Sequence, residues 1–362
     1  MKDFLSKIPL PITVLALGWV LLSSIFQGVI PLISDISVII SLILIVLSIL
    51  KIIFDIKNFY LSIKSSVGLS LFSAFSISLM LISVWMKGVL GQANIYIWAT
   101  GVVLHIIIMI LFTIRYVINF NIKYVFASWF LVYSGLGMAS ITCKEFGMIV
   151  FGGAVFKFTI VVSIILVPFI VVRLFKRSTT NAARPLFSLI SIPIGIILPS
   201  YIVVSESIVL DRLWVMFFIS QIILLLVIIN MLSQMYRGFY PSLSCYAASS
   251  AATLYAAKFF SNYLKENKIY NQYLDYVLYG EYFLVFIICA AILLIYFIKI
   301  LTEVKSKDKG INSIKTDSRS VKNISEKKLS LKSNEERINK KYKPKKSSEE
   351  PKKVEDMSDL LD

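Results

Sequence analysis

Long apolar stretches recur ten times in the first 301 residues, separated by short connections that hold most of the charge. They alternate in character. Ile8–Ile30, Leu69–Met86, Val125–Cys143, Leu186–Val204 and Pro241–Phe260 are interrupted by Pro, Gly or runs of Ser. Ile36–Phe54, Ile95–Phe120, Met148–Val172, Trp214–Met235 and Tyr276–Ile300 are mostly Leu, Ile, Val and Phe, although the third of these holds Gly152, Gly153 and Pro168. Each stretch approaches the roughly 20 residues that cross a bilayer core. Backbone groups in lipid must be satisfied internally, so each is predicted to be a helix. A helix that meets only lipid or other helices has little use for kinks and hydroxyls, whereas one beside a watery path has both. The alternation therefore predicts an all-α integral membrane domain over residues 1–301, its broken helices bordering a pathway.

Composition agrees. Of 362 residues, 57% are hydrophobic and the mean hydropathy is +0.81. Ile8–Ile30 follows a basic start but is long for a signal core and holds early prolines, so it is read as a retained helix. From residue 302 the composition turns to Lys, Ser, Glu and Asn, which predicts a disordered basic tail over 302–362. Its Lys340–Lys346 stretch suits anionic lipid at a cytoplasmic leaflet. Nucleic acid is not expected as a partner, because no fold or aromatic interleaving organises the basic groups. The acidic end Val354–Asp362 is the alternative docking segment.

Lys and Arg orient the spans. With the amino terminus inside, the inner connections of residues 1–301 carry twelve basic residues and the outer ones five. Both termini are thus expected in the cytoplasm of a multi-pass plasma-membrane protein. Of the net charge of +16, the part carried by residues 1–301 serves topology, and it also gives the cytoplasmic mouth a positive field that draws anions.

No phosphate-binding loop, metalloprotease motif, nucleophile elbow or paired carboxylates occur, so neither an enzyme nor an ATP-driven pump is expected, and no cofactor. Cys143, Cys245 and Cys289 lack metal or disulfide spacing and are read as packing residues. The acidic residues before the tail, Glu281 included, fall at or near span ends, which argues against a carboxylate relay. The single histidine, His105, is expected to hydrogen-bond a neighbouring helix, with proton sensing as the alternative. Lys157 and Lys258 are expected to snorkel to the outer interface. Hydroxyls cluster at Ser70, Ser73, Ser76, Ser78 and Ser83 and again at Ser242, Ser244, Ser249 and Ser250, while Pro193, Gly195 and Pro199 should kink their helix.

Several segments together resemble one family. They are Ile8-Pro-Leu-Pro through Gly18, Ser128-Trp-Phe-Leu-Val-Tyr-Ser-Gly-Leu-Gly through Phe146-Gly147, Ala183-Arg-Pro through Pro193, Pro199-Ser-Tyr201, and Phe239-Tyr-Pro-Ser-Leu-Ser-Cys-Tyr-Ala-Ala. In this order and on odd-numbered spans, they are similar to the tellurite-resistance/dicarboxylate transporter (TDT) family, which takes in the plant guard-cell slow anion channels. The resemblance covers residues 8–300. It implies ten transmembrane helices as five hairpins in quasi-fivefold arrangement, the odd helices forming an inner pore ring, and a homotrimer of such protomers. Candidate pore-lining residues are then Pro11, Gly18, Ser73, Ser76, Tyr133, Gly135, Pro193, Gly195, Pro199, Ser244, Ala248 and Ser249. In the channel branch a Phe on the ninth helix plugs the pore; the alignment places Ala248 there, so the candidate gate is Ala248 itself, Tyr246 or Phe75.

The expected function is passive or secondary transport of small anions or organic acids (halide, nitrate, sulfite or C4-dicarboxylate) through a pore in each protomer. The alternatives are efflux of a toxic oxyanion such as tellurite or sulfite, and a membrane scaffold or sensor that recruits a partner through its tail. Expected partners are the anion, membrane lipid and further copies of the chain.

Overall fold

The computed structural model describes residues 2–176, 180–269 and 272–302, and every regular element among them is a helix. Seven helical segments are long and apolar enough to cross a membrane. They are α2 (Pro31–Phe54), α3 (Ser66–Trp85), α4 (Asn94–Phe112, within the apolar run Lys87–Val117), α6 (Ile149–Lys176), α7 (Ile192–Val204, extended backwards by a 3-10 segment Asn181–Ser191), α8 (Leu210–Met235) and α10 (Gln272–Thr302). The chain is a multi-pass membrane protein on this evidence. The tail expected to be disordered, with Lys340–Lys346 and Val354–Asp362, lies outside the described residues.

The other three predicted stretches are helical too, each with a physical reason for falling short of that length or apolarity. The first, α1 (Ile12–Phe26), has only 15 residues because Pro9 and Pro11 delay its start. The fifth stretch, α5, is broken: Trp129–Tyr133 and Met138–Thr142 flank a 3-10 turn at Ser134–Gly137. The ninth, α9 (Ser244–Glu266), is built largely of Ala and Ser. Prolines act as their positions dictate. Pro31 and Pro193 sit in first turns, where the missing N–H costs nothing, whereas Pro199 and Pro168 fall inside helices.

Burial divides the helices into two sets. In the most apolar window of α3, 78% of residues are buried, and in that of α7, 67%; for α2, α4, α6, α8 and α10 the share lies between 22% and 39%. Every residue of α1 except Ser24 is buried, as is the run Ser244–Lys258 of α9. The even helices turn aliphatic faces outward (Ile39, Ile43 and Val46 on α2, Ile222 and Leu225 on α8), as lipid contact requires. Among the buried set, α1 packs against α3 and α9, α3 against α5, α5 against α7, and α7 against α9. Small residues permit these approaches. A Cβ on Gly18 of α1 would lie 2.9 Å from the carbonyl carbon of Ala247 on α9.

Candidate functional site

Where α1, α3, α5, α7 and α9 converge there is a small space lined by Leu17, Leu21, Ile77, Met138, Ile192, Gly195, Ile196 and Ala252. Each of the five buried helices contributes at least one of these residues. Its volume is about 10 Å³, at the lower limit of what holds a single water. Every lining side chain is apolar, so a polar solute would meet a dry aliphatic constriction.

Of the candidate pore residues, Gly195 lines this space. A Cβ there would come within 2.7 Å of both the Cβ and the carbonyl oxygen of Ala252, so the glycine also sets the α7–α9 distance. Gly135 sits in the 3-10 turn of α5 against Ile77 and His105. Gly18 and the fully buried Ala248 meet at the α1–α9 contact, and the α9 residue that lines the space is Ala252, one turn beyond Ala248. Pro11 caps the start of α1, Pro193 opens α7 and Pro199 lies within it. Tyr133 faces outward: its hydroxyl meets Thr113 Oγ1 at 2.9 Å, and its ring lines an apolar lateral cleft with Phe120, Val162 and Phe169.

The other two candidate gates are directed elsewhere. Tyr246 donates its hydroxyl to Asn230 Oδ1 of α8 at 2.6 Å. Phe75 stacks on Phe72, which meets Phe59 of the short helix Ile56–Ile63.

The hydroxyls on the buried helices bind other parts of the protein. Ser73 donates to the carbonyl of Ser70 and Ser244 to that of Pro241, each three residues back. Others join neighbouring helices: Thr13 donates to the Leu71 carbonyl (α1–α3), Ser70 to Ser128 at the entrance to α5, Ser140 to Ser200 (α5–α7), and Ser249 to Ser188 of the segment leading into α7. Ser76 turns to α4, 2.8 Å from His105 Nδ1, while His105 Nε2 lies 2.9 Å from the Val132 carbonyl. A carbonyl only accepts, so Nε2 carries the proton and Nδ1 is free to accept from Ser76. The neutral ring is satisfied on both sides, bridging α3, α4 and α5.

One basic residue departs from expectation. Lys258 does not snorkel. It is 7% exposed, and its ammonium donates to the carbonyls of Ser24 (3.1 Å), Ile25 and Gln27 (2.7 Å) at the end of α1. The helix α1 ends there, and the cation occupies the end where carbonyls lack partners and the dipole is negative. Lys51 likewise donates to the carbonyl of Ile8 ahead of α1. Lys157 is exposed on α6, compatible with the expected reach to an interface.

Glu281 also departs from its place in the sequence reading. The helix begins at Gln272 rather than near Tyr276, so Glu281 lies well inside α10; it is buried beside Gln221 of α8.

Lys7, Lys51 and Lys299 surround a cleft of about 330 Å³ near the start of α1, with no carboxylate among its lining residues. The lining of that cleft is basic, with Asp55 behind it against Asn58. No group of three or more His, Cys, Asp or Glu able to hold a metal ion occurs among the described residues. Comparisons of the sequence with family models and with curated proteins find no match.

Proposed function

We propose that this protein conducts small anions or organic acids across a membrane and belongs with the tellurite-resistance/dicarboxylate transporters. In this reading α1, α3, α5, α7 and α9 form an inner ring within a quasi-fivefold set of five hairpins, α2, α4, α6, α8 and α10 form the outer one, and protomers assemble as trimers with both termini cytoplasmic. The observation that carries it is the axial space to which the five buried helices all contribute and the outer helices do not. The cyclic order of packing among those five supports the same arrangement. Hydroxyls that tie neighbouring helices together would keep the ring closed around the path, and the lysine-rich cleft supports anions as the solute.

The constriction of Leu17, Leu21, Ile77, Met138, Ile192 and Ile196 is the closed state of this path. Opening requires the aliphatic side chains to withdraw far enough for water to enter.

The test is flux of chloride, nitrate, sulfite, malate and tellurite in proteoliposomes, for the wild type and for a chain carrying Ile77→Ala and Ile196→Ala. The expected result is anion flux that rises in the widened variant. Absence of flux for every anion in both folded proteins would refute the reading.

A further inference from the structure

The ends of α6 and α8, with the residues leading into α5 and α7, enclose a cleft of about 440 Å³ away from the axial space. Its polar chemistry comes from Arg173, Arg184, Asn230, Ser233 and Gln234, and no carboxylate lines it. Arg173 is 7% exposed, and its guanidinium carbon lies 4.9 Å from the centre of the Phe126 ring. Gln234 is 3% exposed, and its Oε1 has no hydrogen-bond partner. The cleft thus sets guanidiniums, which only donate, beside a buried amide oxygen, which only accepts.

An inorganic anion without a hydroxyl, such as chloride, nitrate or sulfate, satisfies the first half of that pattern and not the second. A phosphate ester of a polyol satisfies both, since its oxygens accept from guanidinium forks and its hydroxyl donates to the amide. Apolar surface completes the cleft: Ile170 and Leu186 line its interior, and Phe175 at the end of α6 is 88% exposed. A site at the ends of two outer helices, with lipid-facing surface beside it, lies at the depth of lipid headgroups.

We propose that this cleft binds the headgroup of an anionic phospholipid of the phosphatidylglycerol type. Arg173 and Arg184 take the phosphate and Gln234 accepts from a glycerol hydroxyl, while the acyl chains run along the outward faces of α6 and α8.

The experiment is thermal unfolding of the full-length protein in detergent, titrated with phosphatidylglycerol, phosphatidic acid, phosphatidylcholine or soluble glycerol phosphate. Phosphatidylglycerol should raise the midpoint saturably, phosphatidic acid less, and the other two little. Arg184→Gln, at a half-exposed position, should remove most of the phosphatidylglycerol shift, and Gln234→Leu should reduce it to the phosphatidic acid level. Arg212→Gln, on the first turn of α8 at its opposite end, should keep the full shift. An undiminished shift in Arg184→Gln and in Arg173→Lys would overturn the site. A full shift with glycerol phosphate would overturn the lipid in favour of a soluble ester.

Discussion

Gly195 of α7 and Ala252 of α9 meet so closely that a Cβ on the glycine would fall 2.7 Å from the alanine's methyl carbon. Both residues also line the axial space, so one contact sets the spacing of two buried helices and the width of the constriction. Gly195→Val is expected to destabilise the protein by about 1–3 kcal/mol, the usual cost of overpacking. Ala252→Gly in the same chain should recover part of the loss, but not all, because the Ala252 carbonyl oxygen is equally close. Thermal unfolding of the single and double variants measures this, and an unaltered midpoint for Gly195→Val would contradict the contact.

Lys258 gives the second prediction. Replacing it with Met keeps the stem's bulk and removes the donors to Ser24, Ile25 and Gln27. Leaving buried carbonyls unsatisfied costs about 1–3 kcal/mol per group, so Lys258→Met should lower the unfolding midpoint well below that of Lys157→Met. Hydrogen exchange should locate the loosening at residues 23–28. Protection there equal to that of the wild type would show that the cation does not hold the end of α1.

The constriction gives the third. Widening it through Leu21→Ala, or through Ile77→Ala with Ile196→Ala, should raise anion flux several-fold, because larger aliphatic gaps admit water. Ala248→Phe, one turn from Ala252 on the same helix, should lower flux. Unchanged flux in Ala248→Phe, with raised flux in the aliphatic variants, would assign closure to the aliphatic ring alone.

Much of this architecture is legible in the sequence. The Pro, Gly and Ser interruptions mark the helices that the structure buries, because kinks and small side chains are what close packing among helices uses. Where each hydroxyl points is not legible. A serine in a helix can bond the carbonyl three or four residues back or reach a neighbour, and Ser73 and Ser249 look alike in sequence while doing these different things. The constriction is hidden for another reason. Leu17 and Leu21, or Ile192 and Ile196, repeat at helical spacing as do many aliphatic pairs that face lipid, and only the three-dimensional packing separates the axial ones. The surroundings of Lys258 are not legible because its acceptors lie at the end of α1, set by Gly28 at positive φ and by Pro31, more than 200 residues away in sequence.

His105 supplies the last prediction, in which structural and proton-sensing roles diverge. Its ring joins Ser76 of α3 to the Val132 carbonyl of α5, just ahead of the 3-10 turn that breaks α5. Gly135 in that turn lies against the imidazole, where a Cβ would be 3.0 Å from Cε1. His105→Phe fills the space but takes the imidazole donor from the Val132 carbonyl, at a cost of about 1–3 kcal/mol, while Ser76 keeps the Ser73 carbonyl as an acceptor. His105→Gln, which can donate to Val132 and accept from Ser76, should recover part of that stability. If the histidine is structural, His105→Gln also keeps the dependence of flux on pH found in the wild type. Loss of that dependence, with the fold intact, would instead make His105 a proton sensor acting on α3 and α5, which supply Ile77 and Met138 to the constriction.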